Sequence, residues 1–240
     1  RSARPEEQAP AYSHIHFTSD LDEVLNDPQV KLVVVCTHAD SHFEYAKRAL
    51  EAGKNVLVEK PFTPTLAEAK ALFALAKSKG LTVSPYQNRR FDVDFLAMKH
   101  LKETGELGEF INIESRIHGS RGIPSDWRGE KEHGGGMVLD WGVHLIDQIL
   151  QIFDEKIEKI YCTFDHITNK EVDDGFKLNI YFEGGKSALI EVGTYNFIAM
   201  PRFYLRAQKG SAMITDWREN CKVAKCKHWH ESEVIPVQTA

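Results

Sequence analysis

NVLVEKPFT, residues 55–63, begins like a buried strand and ends in side chains that can do chemistry. Val56–Val58 is a continuous apolar run, which is typical of a strand covered on both faces of a parallel sheet. The run leads directly into Glu59–Pro61, an acid, a base and a proline. Proline restricts the backbone of the residue before it, so the lysine between them is held in a defined position. We therefore expect the carboxyl end of this strand to lie at the edge of the sheet that carries the functional site.

The segments around this stretch alternate between strand and helix patterns. Strands are predicted at 31–37, 55–59 and 81–86, helices at 41–52 and 65–79, and before them a short strand at 14–17 and a short helix at 21–25. Ser41 is the expected N-cap of the first long helix, and Gly53 and Gly80 are expected to end the two helices. This order predicts an α/β unit with a parallel, doubly wound sheet.

The pattern changes near residue 88. Helices are predicted at 91–103 and 137–152, a long polar loop at 119–135, and strands at 110–118, 157–165, 176–182, 187–195, 203–208 and 212–217. Short strands joined by turns such as residues 183–186 favour an antiparallel or mixed sheet. We therefore predict two domains, residues 1–88 and 89–240, the second an α+β domain with a large, mostly antiparallel sheet.

Composition limits the possible partners. The 240 residues carry a net charge of -5, which argues against a nucleic-acid or anionic-membrane partner because both need a basic surface. The longest apolar runs, such as residues 32–36, are too short to span a bilayer. Four irregularly spaced cysteines are typical of reduced thiols, so we expect a cytoplasmic protein.

One cluster has the residue types of a zinc site. Cys221, Cys226, His228 and His230 lie close together in the sequence. Their spacing differs from that of common zinc sites, and alternation along a strand explains the pattern equally well. We therefore expect no metal ion.

Three polar clusters follow predicted strands, namely Thr37–His42, Glu59–Pro61 and Gln87–Arg90. Because ligands bind outside the carboxyl ends of parallel strands, clusters at successive ends favour one binding site over strands that merely reach solvent. Lys60 is suited to donate a proton or a hydrogen bond to a substrate oxygen. The alternative for Lys60 is an exposed ion pair with Glu59, which stabilises little.

The second half contains HGGGMVLDWGVHLID, residues 133–147. Asp140 and His144 are four residues apart and share a helical face, where an aspartate can orient an imidazole and stabilise its cation. Such a pair suits a general base, whereas the alternative is a histidine satisfied within the core. Trp127 and Arg128, in the preceding loop, either line a pocket or pack the loop down.

Taken together, AKRALEAGKNVLVEKPF, QNRRFD and GGGMVLDWGVHLID resemble the Gfo/Idh/MocA family of NAD(P)-dependent oxidoreductases, over nearly all of the chain. QNRRFD also resembles the branch that contains scyllo-inositol dehydrogenase. The resemblance implies a Rossmann domain that binds the dinucleotide, followed by a domain whose sheet contacts other subunits in a homodimer or homotetramer. It implies hydride transfer between nicotinamide and a carbon bearing a hydroxyl on a sugar, inositol or related polyol.

The resemblance also assigns roles. Lys60 corresponds to the family's EKP lysine, while Asp140 and His144 correspond to its DxGxH pair, with His144 accepting the hydroxyl proton. The expected cofactor contacts are Arg1, Ser2, Thr37, His38, His42, Glu59, Lys60, Pro61 and Gln87, and the expected substrate contacts are Arg89, Trp127 and Arg128. The peptide before Pro61 is often cis in this family. Two alternatives within the same fold are a non-catalytic dinucleotide sensor and an NAD-dependent glycosidase.

The chain departs from the family pattern in two places. His38 and Ala39 replace the proline and asparagine of the family's Thr-Pro-Asn-x-x-His segment. The glycine-rich loop is absent, so we expect a chain truncated at both ends that lacks the first βαβ unit. Arg1 and Ser2 then fall near the end of the second strand, where an arginine accommodates the phosphate of NADP and an acid binds the ribose of NAD. We favour NADP over NAD.

Overall fold

The computed structural model describes residues 10–217, 221–228 and 231–237, and the side chains as far as residue 226. Arg1, Ser2 and His230, and the side chain of His228, lie outside that description. The chain divides into two compact units, Arg1–Tyr86 and Gln87–Ala240. In the described part, no helix is long and apolar enough to cross a membrane.

The first unit contains a parallel sheet in the order β1-β2-β3. Its elements are α1 (Leu21–Asn26), β1 (Leu32–Val35), α2 (His42–Glu51), β2 (Asn55–Val58), α3 (Leu66–Ser78) and β3 (Val83–Pro85). The core is apolar side chains from strands and helices, including Val35, Leu50, Val56, Val58, Leu72 and Ala76. Because the three strands are parallel, their carboxyl ends lie at the same edge of this sheet.

Local side-chain bonds explain where the helices of this unit begin. Thr65 accepts a hydrogen bond from the backbone N–H of Glu68, whose carboxylate accepts one from the backbone N–H of Thr65 in return, a reciprocal cap at the start of α3. Ser41 occupies the N-cap position of α2 but makes no capping bond. Its hydroxyl instead lies 2.8 Å from the carbonyl oxygen of His38, to which it can donate, and 2.7 Å from Thr37 Oγ1. Ser41 is therefore the N-cap residue, as predicted, but its side chain does not cap the helix.

The strand expected at residues 14–17 is also wrong. These residues form a turn and irregular backbone, and no described strand pairs with them. Ile15 and Phe17 are each 43% exposed. Alternation of apolar and polar residues favours a strand only where a neighbouring strand supplies hydrogen bonds and a buried face.

The second unit is built on an eight-stranded sheet in the order β11-β10-β9-β8-β4-β7-β6-β5. Its elements are α4 (Val93–Thr104), β4 (Phe110–His118), α5 (Val143–Ile152), β5 (Ile157–Asp165), β6 (Gly175–Phe182), β7 (Ser187–Gly193), β8 (Phe203–Ala207), β9 (Gly210–Ile214), β10 (Cys221–His228) and β11 (Glu231–Val237). Among the described strands of this sheet, β4 and β7 are the parallel pair and the other neighbours are antiparallel. The predicted fold class is confirmed.

Helices α4 and α5 contribute to the same buried core as the sheet. The core includes Phe95, Met98 and Leu101 of α4, Leu145, Ile149 and Ile152 of α5, and Phe176, Ile180 and Ile190 of the strands. Burying an apolar side chain of this size stabilises the fold by roughly 1.5–3 kcal/mol. This core gives α5 a rigid support, and α5 carries the residues discussed below.

Strand β10 accounts for the cysteine cluster. Cys221 is buried, whereas Cys226 is exposed. Residues five apart on a strand point to opposite faces, which agrees with the interpretation of the pattern as strand alternation.

A polar cluster on β4, β6 and β7 surrounds Glu191. Its carboxylate accepts a hydrogen bond from Arg116 Nε at 3.1 Å, and Lys177 Nζ lies 3.1 Å and His118 Nε2 3.7 Å from it. The neighbouring His118 ring and the Lys177 and Arg116 cations outweigh burial and lower the pKa of Glu191 to about 2. The Glu191 carboxylate is therefore ionised in the folded protein at neutral pH.

We expect the stability that Glu191 provides to depend on pH. Its folded pKa of about 2 lies below the ordinary value of 4.5, so the stabilisation is complete above pH 4.5 to 5 and is lost as the pH falls towards 2. The contribution is at most about 3 to 4 kcal/mol, at about 1.4 kcal/mol per unit of pKa difference. Urea unfolding of the wild type and of Glu191→Gln between pH 3 and 7 should show a difference that shrinks as the pH falls. Glu158→Gln, an exposed position on β5, is the matched control. A difference that is constant with pH would contradict the expectation.

Candidate active site

Polar residues follow β1 and β2 at the carboxyl edge of the first sheet. Thr37 and His38 come shortly after β1 and are exposed, while Glu59 and Lys60 come directly after β2 and are partly buried. The third predicted cluster, at residues 87–90, lies in the second unit, where Asn88–Phe91 forms a 3-10 turn. The first unit thus carries two of the three clusters at one sheet edge.

The buried side chain of His42 contacts both the segment after β1 and the turn after β2. Its ring is buried, with Nδ1 2.8 Å from the carbonyl oxygen of Pro61 and Nε2 3.0 Å from the carbonyl oxygen of Thr37. The segment after β1 and the turn after β2 are therefore tied to one side chain. The sequence predicted that His42 contacts the cofactor. In the structure its buried ring contacts the backbone carbonyl oxygens of Thr37 and Pro61.

The turn after β2 has a defined shape. The Lys60–Pro61 peptide is cis, as the resemblance implied. The backbone N–H of Lys60 donates to Glu59 Oε2 at 3.0 Å, so the glutamate side chain is bonded to the turn itself. Burial, with a smaller effect of the Glu59 carboxylate, raises the pKa of the nearby Cys36 thiol.

In the second unit, Gly135 and Gly136 precede the helical segment that carries Asp140, and neither has room for a side chain. Gly136 has φ +104°, and a Cβ there would collide with the Asp173 carboxylate. A Cβ at Gly135 would collide with the carbonyl oxygen of Arg128. The Asp173 side chain accepts a hydrogen bond from the Val138 N–H at 2.9 Å, and burial raises the pKa of this aspartate. Sequence reasoning missed Asp173, which holds the start of the helix from 35 residues away.

The single helix predicted at 137–152 consists of two parts. Val138–Gly142 is a π-helical turn, and α5 follows directly from Val143. Asp140 lies in the π turn and His144 in the first turn of α5. A Cβ at Gly142 would lie 2.9 Å from the Phe176 ring, so glycine lets this turn approach β6 closely. Wide turns of this kind often occur at functional sites.

Asp140 is buried and paired with Arg128. Arg128 Nε donates to Asp140 Oδ2 at 3.1 Å, and Arg128 Nη1 donates to Asp126 at 2.7 Å. The guanidinium also lies 4.6 Å from the centre of the Trp127 ring. The structure therefore brings Trp127 and Arg128, two expected substrate contacts, together with Asp140.

His144 is buried and bonded to Gln87. Its Nδ1 lies 2.8 Å from Gln87 Oε1, and the edge of its ring faces Trp141 at 6.2 Å between centres. Arg89 lies 4.1 Å over Trp141 and 5.4 Å from the centre of Trp217. Sequence reasoning listed Gln87 as a cofactor contact and Arg89 as a substrate contact. The structure places both around His144 within the second unit.

A cavity of about 420 Å³ opens beside Asp140. Trp141 and Trp217 form part of its wall, and Ser120 and Arg121 from the polar loop form another part. Concave sites of this size, with aromatic walls and few polar groups, are typical of small-molecule binding. Trp217 belongs to a segment that no sequence motif singled out.

The side chains at the carboxyl edge of the first sheet suit part of a nicotinamide dinucleotide. Thr37 offers a hydroxyl, His38 an imidazole and Lys60 an ammonium group, which can bond ribose hydroxyls and an amide carbonyl. The carboxyl ends of parallel strands are where such cofactors bind. The described residues therefore fit the cofactor that the sequence predicts.

Two family models match the chain. Residues 1–87 match the Gfo/Idh/MocA oxidoreductase family, NAD-binding Rossmann fold, and residues 95–213 match the Gfo/Idh/MocA C-terminal domain. The match over both units confirms the resemblance seen in the sequence motifs.

Two curated relatives and one solved structure are similar to this chain over most of its length. The chain is 56% identical to the uncharacterized oxidoreductase YhhX of Escherichia coli K12, over 88% of this chain and 60% of that protein. It is 30% identical to scyllo-inositol 2-dehydrogenase (NADP(+)) IolW of Bacillus subtilis 168, over 88% of this chain and 59% of that protein. An NAD-binding protein from Listeria innocua has a similar structure, with TM-score 0.88 and 40% identity over 96% of this chain and 71% of that one. The chain thus spans about 60% of the length of these two curated relatives.

Proposed function

This chain belongs to the Gfo/Idh/MocA family of oxidoreductases, and from that premise we propose that it is a nicotinamide-dependent dehydrogenase or reductase acting on a CH–OH group. The proposed substrate class is a sugar, inositol or related polyol. The observation that carries this proposal is the buried His144, bonded at Nδ1 to Gln87, one helical turn from an Asp140 that lines a cavity.

In the oxidation direction, a bound nicotinamide dinucleotide would supply the acceptor for the hydride that leaves the substrate carbon. His144 takes the proton of the substrate hydroxyl, and the C=O bond forms as the C–H and O–H bonds break. Asp140, paired with Arg128, supplies negative charge near the imidazolium that results. The role of Lys60, donating a hydrogen bond to the developing carbonyl oxygen, rests on the EKP motif and on the defined turn that holds it.

We propose NADP as the preferred cofactor. The name of the Bacillus subtilis relative, an NADP-dependent dehydrogenase at 30% identity, supports this choice. Arg1, the sequence feature that favours NADP, lies outside the described residues. Thr37, His38 and Lys60 would hold the ribose and nicotinamide half of the cofactor.

Fluorescence titration of the purified full-length gene product with NADPH and, separately, NADH tests this proposal. We expect tighter binding of NADPH, followed by reduction of NADP in the presence of polyols that include scyllo-inositol. A preference for NADH would keep the oxidoreductase and overturn the choice of NADP. Binding of neither cofactor would overturn the oxidoreductase itself.

A further inference from the structure

We infer that Gln87 is a positioning residue that fixes the tautomer of His144, so that Nε2 is the basic nitrogen. This inference rests on the proposed function, in which His144 accepts the substrate proton. The two side chains are 57 positions apart in the sequence, and Gln87 Oε1 lies 2.8 Å from His144 Nδ1.

The orientation of the Gln87 amide follows from its second contact. Gln87 Nε2 lies 3.4 Å from the carbonyl oxygen of Val143, which can only accept a hydrogen bond. The reversed amide would place its oxygen against that carbonyl oxygen, so the NH₂ group faces Val143 and Oε1 faces His144. Since Oε1 also only accepts, Nδ1 of His144 carries the hydrogen. In the neutral ring, Nε2 then carries the lone pair.

Two further bonds hold the Gln87 segment against α5. Arg90 makes a double contact with Asp147, at 2.7 Å from Nε and 2.6 Å from Nη2. Gln148 Nε2 donates to the carbonyl oxygen of Arg89 at 2.8 Å. His144, Asp147 and Gln148 share one face of the helix because they are three and four positions apart. The whole segment is thereby aligned along the face that carries His144.

Gln148 is in turn anchored in the core. Its Oε1 accepts a hydrogen bond from Arg202 Nη2 at 2.8 Å, which leaves the Gln148 NH₂ group to face Arg89. Arg202 is buried, donates to Ser115 Oγ at 2.6 Å and has Nε 2.9 Å from Asp94 Oδ2, an ion pair without a well-aligned hydrogen bond. Burial lowers the pKa of Arg202 to about 10, so this cation stays charged at neutral pH.

A neutral amide at Nδ1 has a chemical consequence. A carboxylate there would also fix the tautomer, but it would stabilise the imidazolium and hold the captured proton. Gln87 fixes the ring without adding charge, and the Asp140 carboxylate is paired with Arg128. The imidazolium formed at His144 therefore holds the captured proton less tightly than it would beside a carboxylate.

The test compares Gln87→Leu and Gln87→Glu with the wild-type full-length protein. Gln151→Leu, an exposed position on the same helix, is the matched control. The first readout is the ring tautomer of His144 from ¹⁵N NMR with labelled histidine, assigned from the signals lost in His144→Asn. The second readout is the pH dependence of kcat/KM with scyllo-inositol and NADP, and the third is the Kd for NADPH.

We expect His144 to be protonated at Nδ1 in the wild type and in Gln151→Leu, and to populate both tautomers in Gln87→Leu. The same variant should lose about tenfold in kcat, part of the 10²–10⁴-fold that general base catalysis typically contributes. Gln87→Glu should keep the tautomer and move the half-maximal pH of oxidation upward by about one unit. The Kd for NADPH should stay within about threefold in both variants.

The readouts separate this inference from the proposed function. An Nδ1-protonated His144 in Gln87→Leu, or an Nε2-protonated ring in the wild type, would overturn the role of Gln87 and leave the oxidoreductase untouched. A changed tautomer with an unchanged rate would overturn His144 as the base. If Gln87→Leu does not fold, Gln87→Glu decides, because a pH profile that does not move upward contradicts the inference.

Discussion

Replacing His144 by asparagine is expected to lower kcat for polyol oxidation by about 10²–10⁴-fold, the range that a positioned general base contributes. Asparagine keeps a polar group of similar size that can still bond Gln87, but it cannot accept the hydroxyl proton. The reason lies in the geometry of the ring, which is buried and bonded at Nδ1, so that Nε2 is the nitrogen able to take the proton.

The pH profile distinguishes a lost base from a disturbed fold. A histidine base must be neutral to act, so the wild-type rate of oxidation should rise with pH to a plateau, and His144→Asn should lack this limb. His100→Asn, an exposed histidine on α4, is the matched control and should behave as the wild type. A His144→Asn profile identical in shape to the wild type would assign the base to another residue.

Replacing Lys60 by alanine is expected to lower kcat by about 10²-fold, at the lower end of the contribution of a positioned proton or hydrogen-bond donor. The ammonium group is proposed to stabilise the developing carbonyl oxygen, a charge that exists in the transition state and not in the bound cofactor. The cofactor affinity should therefore change only a few-fold. The turn that presents Lys60 is held by the hydrogen bond from the Lys60 backbone N–H to the Glu59 carboxylate and by the contact of His42 with the Pro61 carbonyl oxygen. The substitution leaves both contacts in place.

Steady-state kinetics and NADPH titration of the same preparation measure the two effects of Lys60→Ala. Lys77→Ala, an exposed lysine on α3, controls for the loss of one positive charge in the first unit. Unchanged turnover would contradict the catalytic role of Lys60. A loss of cofactor affinity as large as the loss of kcat would instead assign Lys60 to binding.

The candidate site was predictable where it depends on contiguous residues. The EKP segment and the Asp140–His144 spacing were visible in the sequence because each lies within a few residues of chain. The partners of those residues were not visible. Gln87 was expected at the cofactor, yet its side chain contacts His144, 57 positions away. Asp173 holds the start of the helix at Val138 across 35 positions, and two consecutive aspartates before a strand are no signal for that role.

Sequence patterns were enough to predict the order and type of the helices and strands from α1 to β9, whereas β10 and β11 were not among the predicted strands. Strands β4 and β5 have the predicted bounds, because β-branched and aromatic residues between turn residues favour a strand locally. Helix α3 likewise begins at a cap made by residues three positions apart. Periodicity failed at residues 14–17, where no described neighbouring strand completes the pairing, and it did not separate the π turn at Val138–Gly142 from α5.

The surroundings of the candidate base His144 depend on tertiary contacts. Local patterns encode backbone conformation, because they act through residues one to four positions apart. The tautomer of His144, the pairing of Asp140 with Arg128 and the charge of Glu191 depend on partners that arrive from other elements. Those partners are set by packing of the helices and sheet of the second unit, so the sequence could name candidate site residues but not their chemical states.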